Sequence, residues 1–127
     1  MNYRYSKAEK LKSKKLIEAL FTEGRSVKSF PLRLVYLPCI LPEEGVMIQA
    51  GVSVSKRNFK RAVSRNRIKR LMRESYRLHK HQIDVTDKTF AMLFIYTGRE
   101  EVSQQDLHKT MIKLIHRFNE AISSIHS

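Results

Sequence analysis

The chain has 127 residues, with 25 lysines and arginines against 12 acids and a formal net charge of +13. Such a balance favours a polyanionic partner, nucleic acid foremost, over an acidic small molecule. A hydrophobic content of 42% with 9% aromatics supports one cored domain over 1–127 and excludes a disordered basic tail, while the lone Cys39 excludes an internal disulfide and fits a cytoplasmic compartment.

The opening MNYRYSKAEKLKSKK lacks the apolar stretch of a secretory signal, and residues 1–12 read as a flexible basic arm. A first helix is predicted over 14–23. Leu16, Ile17, Leu20 and Phe21 share one face, Ser13 caps its start and Gly24 ends it. Residues 26–28 read as a short strand and 32–40 as a longer one, with Leu32, Leu34 and Tyr36 on a common face. After a turn at 41–45, Val46, Ile48, Ala50, Val52 and Val54 alternate with polar or small residues, which predicts a strand over 46–55.

The next stretch, KRNFKRAVSRNRIKRLMRESYR, becomes helical. Ile68, Leu71, Met72, Ser75, Tyr76 and His79 make its apolar stripe. Thr89–Thr97 is apolar on both faces, as in a strand covered on both sides, and its run is far too short to span a bilayer. A final helix is predicted over 103–124, with Ser103 and Asp106 resembling a capping box and Leu107, Met111, Leu114, Ile115, Phe118, Ile122 and Ile125 in its stripe. The order αβββαβα predicts an α+β fold, a mixed four-stranded sheet packed with helices in a ribosomal-protein-like two-layer sandwich.

Between Lys56 and Lys80 stand eleven lysines and arginines and one acid, Glu74, so most of the net charge sits in a fifth of the chain. Like charges one helical turn apart repel by about 0.2–0.5 kcal/mol per pair, so the pattern destabilises the helix unless something negative lies against it. Arginine, whose planar fork matches phosphate oxygens, dominates. The candidate RNA-binding residues are Lys56, Arg57, Lys60, Arg61, Arg65, Asn66, Arg67, Lys69, Arg70, Arg73 and Arg77. Phe59, within the basic loop, is either a base-stacking platform or an apolar anchor.

Residue order adds to charge. Ser53-Val54-Ser55-Lys56-Arg57, then Arg65-Asn66-Arg67-Ile68-Lys69-Arg70, then Leu71-Met72-Arg73-Glu74, closely resembles the signature of the protein subunit of bacterial ribonuclease P. Phe21-Thr22-Glu23-Gly24 followed by Ser26-Val27 resembles the same family. The resemblance implies a small basic partner of a catalytic RNA that removes the 5′ leader of precursor tRNA. It implies Mg²⁺ bound mainly by RNA, with none on the protein alone, and no membrane or stable protein partner. It also implies a cleft for the single-stranded leader between the first helix and the open sheet face. Candidates there are Ile17, Phe21 and Tyr36, with Gly51 and Ser53 admitting a close backbone. Many relatives carry an aromatic where this chain has Ile17, which leaves apolar contact rather than stacking. Phe21 and Tyr36 can equally be ordinary core residues.

No catalytic constellation of side chains is visible. Glu43/Glu44, Asp84/Asp87 and Glu100/Glu101 fall in turns or loops, and no metal-ligand spacing, P-loop or nucleophile–base arrangement is present. The expected function is therefore that of a ribonucleoprotein enzyme subunit with no protein catalytic residues. The alternative is a structural RNA-binding module of ribosomal-protein type, since such a fold serves both.

Overall fold

Ser13 starts the first helix, α1 (Lys14–Glu23), by accepting a hydrogen bond from the Leu16 amide at 3.3 Å. The computed structural model describes residues 5–42, 45–84 and 88–126, with side chains through Ser123, so Glu43, Glu44 and Asp87 lie outside the described residues. Beyond Gly24 come β1 (Arg25–Ser29), β2 (Leu32–Pro38) and β3 (Ile48–Val54). Helix α2 (Ala62–His79), β4 (Phe90–Tyr96) and α3 (Gln104–His126) complete the predicted order, with single 3₁₀ turns at Lys7–Glu9 and Lys80–Gln82.

The sheet order is β1-β2-β4-β3. The β1/β2 and β2/β4 pairs are antiparallel and β3/β4 is parallel, which makes the sheet mixed as expected. A parallel pair needs a crossover, and α2 supplies it by linking β3 to its neighbour β4. The third strand is shorter than the predicted 46–55, and β2 ends at Pro38 rather than residue 40.

Strand alternation sorts two cores. Leu32, Leu34 and Tyr36 point to one face with Ala50, Val54, Phe90, Met92, Phe94 and Tyr96. There α2 packs through Ile68, Met72 and Tyr76, and α3 through Leu107, Met111, Leu114, Ile115 and Phe118. Each large apolar side chain buried here contributes about 1.5–3 kcal/mol. On the opposite face Val35, Ala91 and Leu93 are covered by Leu11 and Leu20, with Leu16 and Ile17 alongside. Thus β4 is sealed on both faces, as its composition predicted, and α1 lies across the side away from α2 and α3.

The flexible arm expected over 1–12 is instead packed from Tyr5 onward. The Tyr5 hydroxyl donates to the Ala50 carbonyl, and its ring meets Tyr76 edge-on at 5.4 Å between centroids. The Leu11 amide donates to the Ala50 carbonyl at 3.0 Å, and the Gln49 side chain donates to the Ala8 carbonyl at 3.0 Å. Lys80, just past α2, bridges to Glu9 at 2.8 Å with both side chains largely buried. Aromatic and amide partners of this kind leave no sequence periodicity, so composition alone suggested an arm.

Candidate nucleic-acid interface

Helix α2 begins without the usual acceptor. Its N-cap is Arg61, which makes no side-chain cap hydrogen bond, and its first turn holds no acid. Free amides and the positive end of the helix dipole therefore face outward among cations, an arrangement suited to an anion. The preceding loop is held rigid. Phe59 is buried and meets the Tyr96 ring at 5.8 Å, and Asn58 donates to the Thr97 and Gly98 carbonyls at 3.4 and 3.3 Å. Phe59 is thus an apolar anchor and not a stacking platform.

The arginines divide by what they touch. Arg65 turns back on the loop, and its Nη1 donates to the carbonyls of Phe59 at 2.8 Å and Lys60 at 2.9 Å. Through Nη1 it acts as a splint on the loop, and its side chain is half-buried where its neighbours Asn66 and Arg70 are exposed. Arg67 makes a two-pronged contact with Glu101 at 3.1 Å to each oxygen, and Arg77 pairs with Glu74 at 2.6 Å. Lys56, Arg57, Lys60, Arg61, Asn66, Arg70 and Arg73 are exposed, with Lys69 half-buried. Asn66, Arg70, Arg73 and Arg77 line a concavity of about 300 Å³ together with Tyr5. Burial pushes the Tyr5 phenol up to about 12, against the pull of the Arg73 charge, so it stays protonated and keeps its bond to Ala50.

The expected leader cleft is only partly assembled. Tyr36 is 3% exposed and packs edge-on against Phe118 at 4.9 Å, on the α3 side of the sheet. The cleft assignment of Tyr36 is therefore wrong by one residue of alternation: Leu32, Leu34 and Tyr36 share the inner face, and the outer face carries Arg33, Val35 and Leu37. Leu11 lies over Gly51, so that glycine is a covered floor rather than an open approach. Ile17 is half-buried against the outer-face core, whereas Phe21 is 63% exposed. Ser53 does lie on the outer face. The sheet register aligns it with Ile95 of β4, Arg33 of β2 and Lys28 of β1. This row forms a half-buried apolar floor, Ile95, between a hydroxyl and two exposed cations. Sequence reasoning missed Arg33 and Ile95. The signal was available, because the pattern that sent Leu32 and Leu34 inward sends Arg33 outward.

Other titratable groups are structural. His79 Nε2 lies 3.2 Å from His108 Nδ1, joining α2 to α3, and its pKa is lowered by burial, with the His108 and His81 charges adding to the effect. Burial pushes the Cys39 thiol up, which keeps it protonated and poorly nucleophilic. Among the described residues no three His, Cys, Asp or Glu side chains gather as a metal-binding group. No helix among them is long and apolar enough to cross a membrane.

Against known proteins, residues 5–119 match the family described as Ribonuclease P. The chain is 45% identical over 80 residues to a ribonuclease P protein component of Porphyromonas gingivalis, an alignment spanning 62% of this chain and 57% of that one. It is 44% identical over 79 residues to the component of Chlorobium phaeobacteroides, across 61% and 54% of the two chains. The matched part thus spans little more than half the length of these relatives. Among solved structures, the RNase P protein of Staphylococcus aureus superposes with a TM-score of 0.70 at 22% identity, covering 87% of this chain and 95% of that one. That of Thermotoga maritima gives 0.69 at 22% identity, over 86% and 96%. At such identity these two likenesses speak for the fold.

Proposed function

The chain belongs to the Ribonuclease P family, and from that membership we propose that it is the protein subunit of a ribonuclease P, serving a catalytic RNA in the cytoplasm. The RNA performs the cleavage that frees the 5′ end of tRNA, and the protein contributes no attacking group. The loop before α2, through Lys56, Arg57, Lys60 and the N-cap Arg61, and the helix itself, through Asn66, Lys69, Arg70 and Arg73, lie against the catalytic RNA. The outer sheet row of Lys28, Arg33, Ile95 and Ser53, flanked by α1 with Ile17 and Phe21, receives the single-stranded leader. A positive groove with an apolar floor tracks a phosphate backbone without reading sequence.

The observation that carries this reading is the electropositive start of α2, uncapped and without an acid in its first turn, set on a loop that Arg65, Asn58 and Phe59 hold in place. Cations fixed in this way neutralise phosphates of two RNAs that would otherwise repel, and so raise substrate affinity. Mg²⁺ belongs to the RNA phosphates in this scheme, and the protein increases its effective binding by lowering local repulsion. Releasing counterions gives a steep salt dependence, with a slope of about −0.7 per single-strand phosphate contacted.

Reconstitution tests it. The protein is mixed with a bacterial ribonuclease P RNA and labelled precursor tRNA at low Mg²⁺, where the RNA alone is nearly inactive. Mature 5′ ends are expected only with both components present. RNA binding without restored cleavage would favour a structural RNA-binding module, and cleavage by the protein alone would overturn the assignment of chemistry to RNA.

A further inference from the structure

At the end of the sheet opposite the α2 loop, where β2 finishes and β4 begins, a pocket of about 270 Å³ opens between α1 and α3. Leu37, Pro38, Phe90 and Ile122 supply apolar walls. Tyr36 lines it too, and its hydroxyl is the unusual group. The residue is 3% exposed, yet the oxygen makes no hydrogen bond among the described residues and is not among the buried polar atoms sealed from solvent. The ring is buried while the hydroxyl reaches the mouth of the cavity, where it is open to a ligand.

Three charged side chains ring the pocket: Arg25, which is the strand partner of Tyr36, Lys88 and Glu23. None of them makes an ion pair among the described residues. Burial raises the Tyr36 phenol while the Arg25 charge pulls it down, which places that guanidinium's field at the hydroxyl. A bare anion would meet Glu23, and a neutral aromatic would leave Arg25 and Lys88 unused. A ligand with a flat ring, N–H donors on one edge and a phosphate on another satisfies all three features. Guanine presents two adjacent N–H donors, which one carboxylate can accept together. A volume near the lower limit for small-molecule sites fits one nucleotide and not a larger cofactor.

We propose that this pocket binds a single guanine nucleotide, with the base against Phe90 and the Tyr36 hydroxyl, its N–H edge on Glu23, and its phosphate toward Arg25 and Lys88. The choice of a nucleotide rests on the reading that this protein's partners are RNA. The same chemistry serves an unpaired guanosine of a bound RNA and a free mononucleotide.

The experiment is a protein-observed amide NMR titration of the full chain with guanosine 5′-monophosphate, guanosine and uridine 5′-monophosphate. Shifts at Arg25, Tyr36, Lys88 and Phe90 are expected, with the guanine nucleotide binding most tightly. Tyr36→Phe keeps the ring packing and removes only the hydroxyl, and should weaken binding by roughly twofold to tenfold, the range for one hydrogen bond. Glu23→Gln should reduce the preference for guanine over uracil, and Lys88→Gln the preference for nucleotide over nucleoside. A pentanucleotide with one guanosine distinguishes the sources: tighter binding than the mononucleotide assigns the pocket to RNA, and equal binding to a free nucleotide. Shifts confined to α2, or affinities indifferent to all three substitutions, would overturn the proposal. Such a failure leaves reconstituted cleavage untouched, so it is distinguishable from failure of the ribonuclease P reading.

Discussion

Replacing Arg65 by alanine separates two roles that look identical in the basic helix. Arg65 Nη1 holds two carbonyls of the loop before α2, at 2.8 and 2.9 Å, one of them partly buried. Hydrogen bonds from a charged donor contribute about 1.5–3 kcal/mol each when shielded. The half-exposed setting reduces the pair together to about 1–2 kcal/mol. With an unfolding entropy of about 2.1 cal/mol/K per residue, a domain of this size loses about 4–8 °C in Tm. Arg70→Ala with Arg73→Ala should do the opposite: Tm unchanged or slightly raised, because mutual repulsion is relieved, and the salt slope of catalytic-RNA binding reduced by about 1.4–1.8. Thermal melts followed by circular dichroism and filter binding over a salt series measure both. If Arg65→Ala leaves Tm within a degree while the salt slope drops by a full phosphate, Arg65 is an RNA contact and the splint argument fails.

Three further outcomes are expected. Phe118→Ala removes a fully buried ring that meets Tyr36 at 4.9 Å and Phe90 at 5.3 Å; urea unfolding should show a loss of about 3–5 kcal/mol, and a loss below one would mean the site collapses freely. Arg33→Glu should weaken binding of a single-stranded leader while leaving affinity for the catalytic RNA unchanged, and an equal loss for both RNAs would remove the outer sheet row from the cleft. The His79 pKa is lowered below its ordinary 6.5, so the unfolded chain takes up that proton first. Stability is then complete above about pH 6.5 and declines as pH falls from there through the folded-state value. His79→Gln should flatten that part of a stability–pH curve, and an unchanged slope would assign it to other groups.

Periodicity carried most of the fold. The stripes Ile68–Met72–Tyr76 and Leu107–Met111–Phe118 read directly as buried faces, because burial on a helix is written at a fixed spacing. Tyr36 was harder. Its alternation with Leu32 and Leu34 placed it inward, while its aromatic character suggested a cleft, and burial on the α3 side won. Arg65 was illegible for another reason: a backward-turned guanidinium and an outward one occupy the same helical position, and only the loop carbonyls distinguish them. The packing of Tyr5 on Tyr76 and the bridge from Glu9 to Lys80 join residues 71 apart in the chain, beyond the reach of any local pattern.

That α2 is the crossover between two neighbouring parallel strands has a thermodynamic consequence. A helix tethered at both ends to β3 and β4 adopts its position only when residues 48–54 and 90–96 have found each other, a distant and late pairing. The cationic surface therefore has no independent existence, and folding and readiness to bind are one event. Linkage runs the other way too: an RNA that takes hold of α2 draws the whole population toward the closed sheet. Its grip should be readable where no RNA touches, as slower hydrogen exchange at the amides of Met92 and Phe94 in the middle of β4.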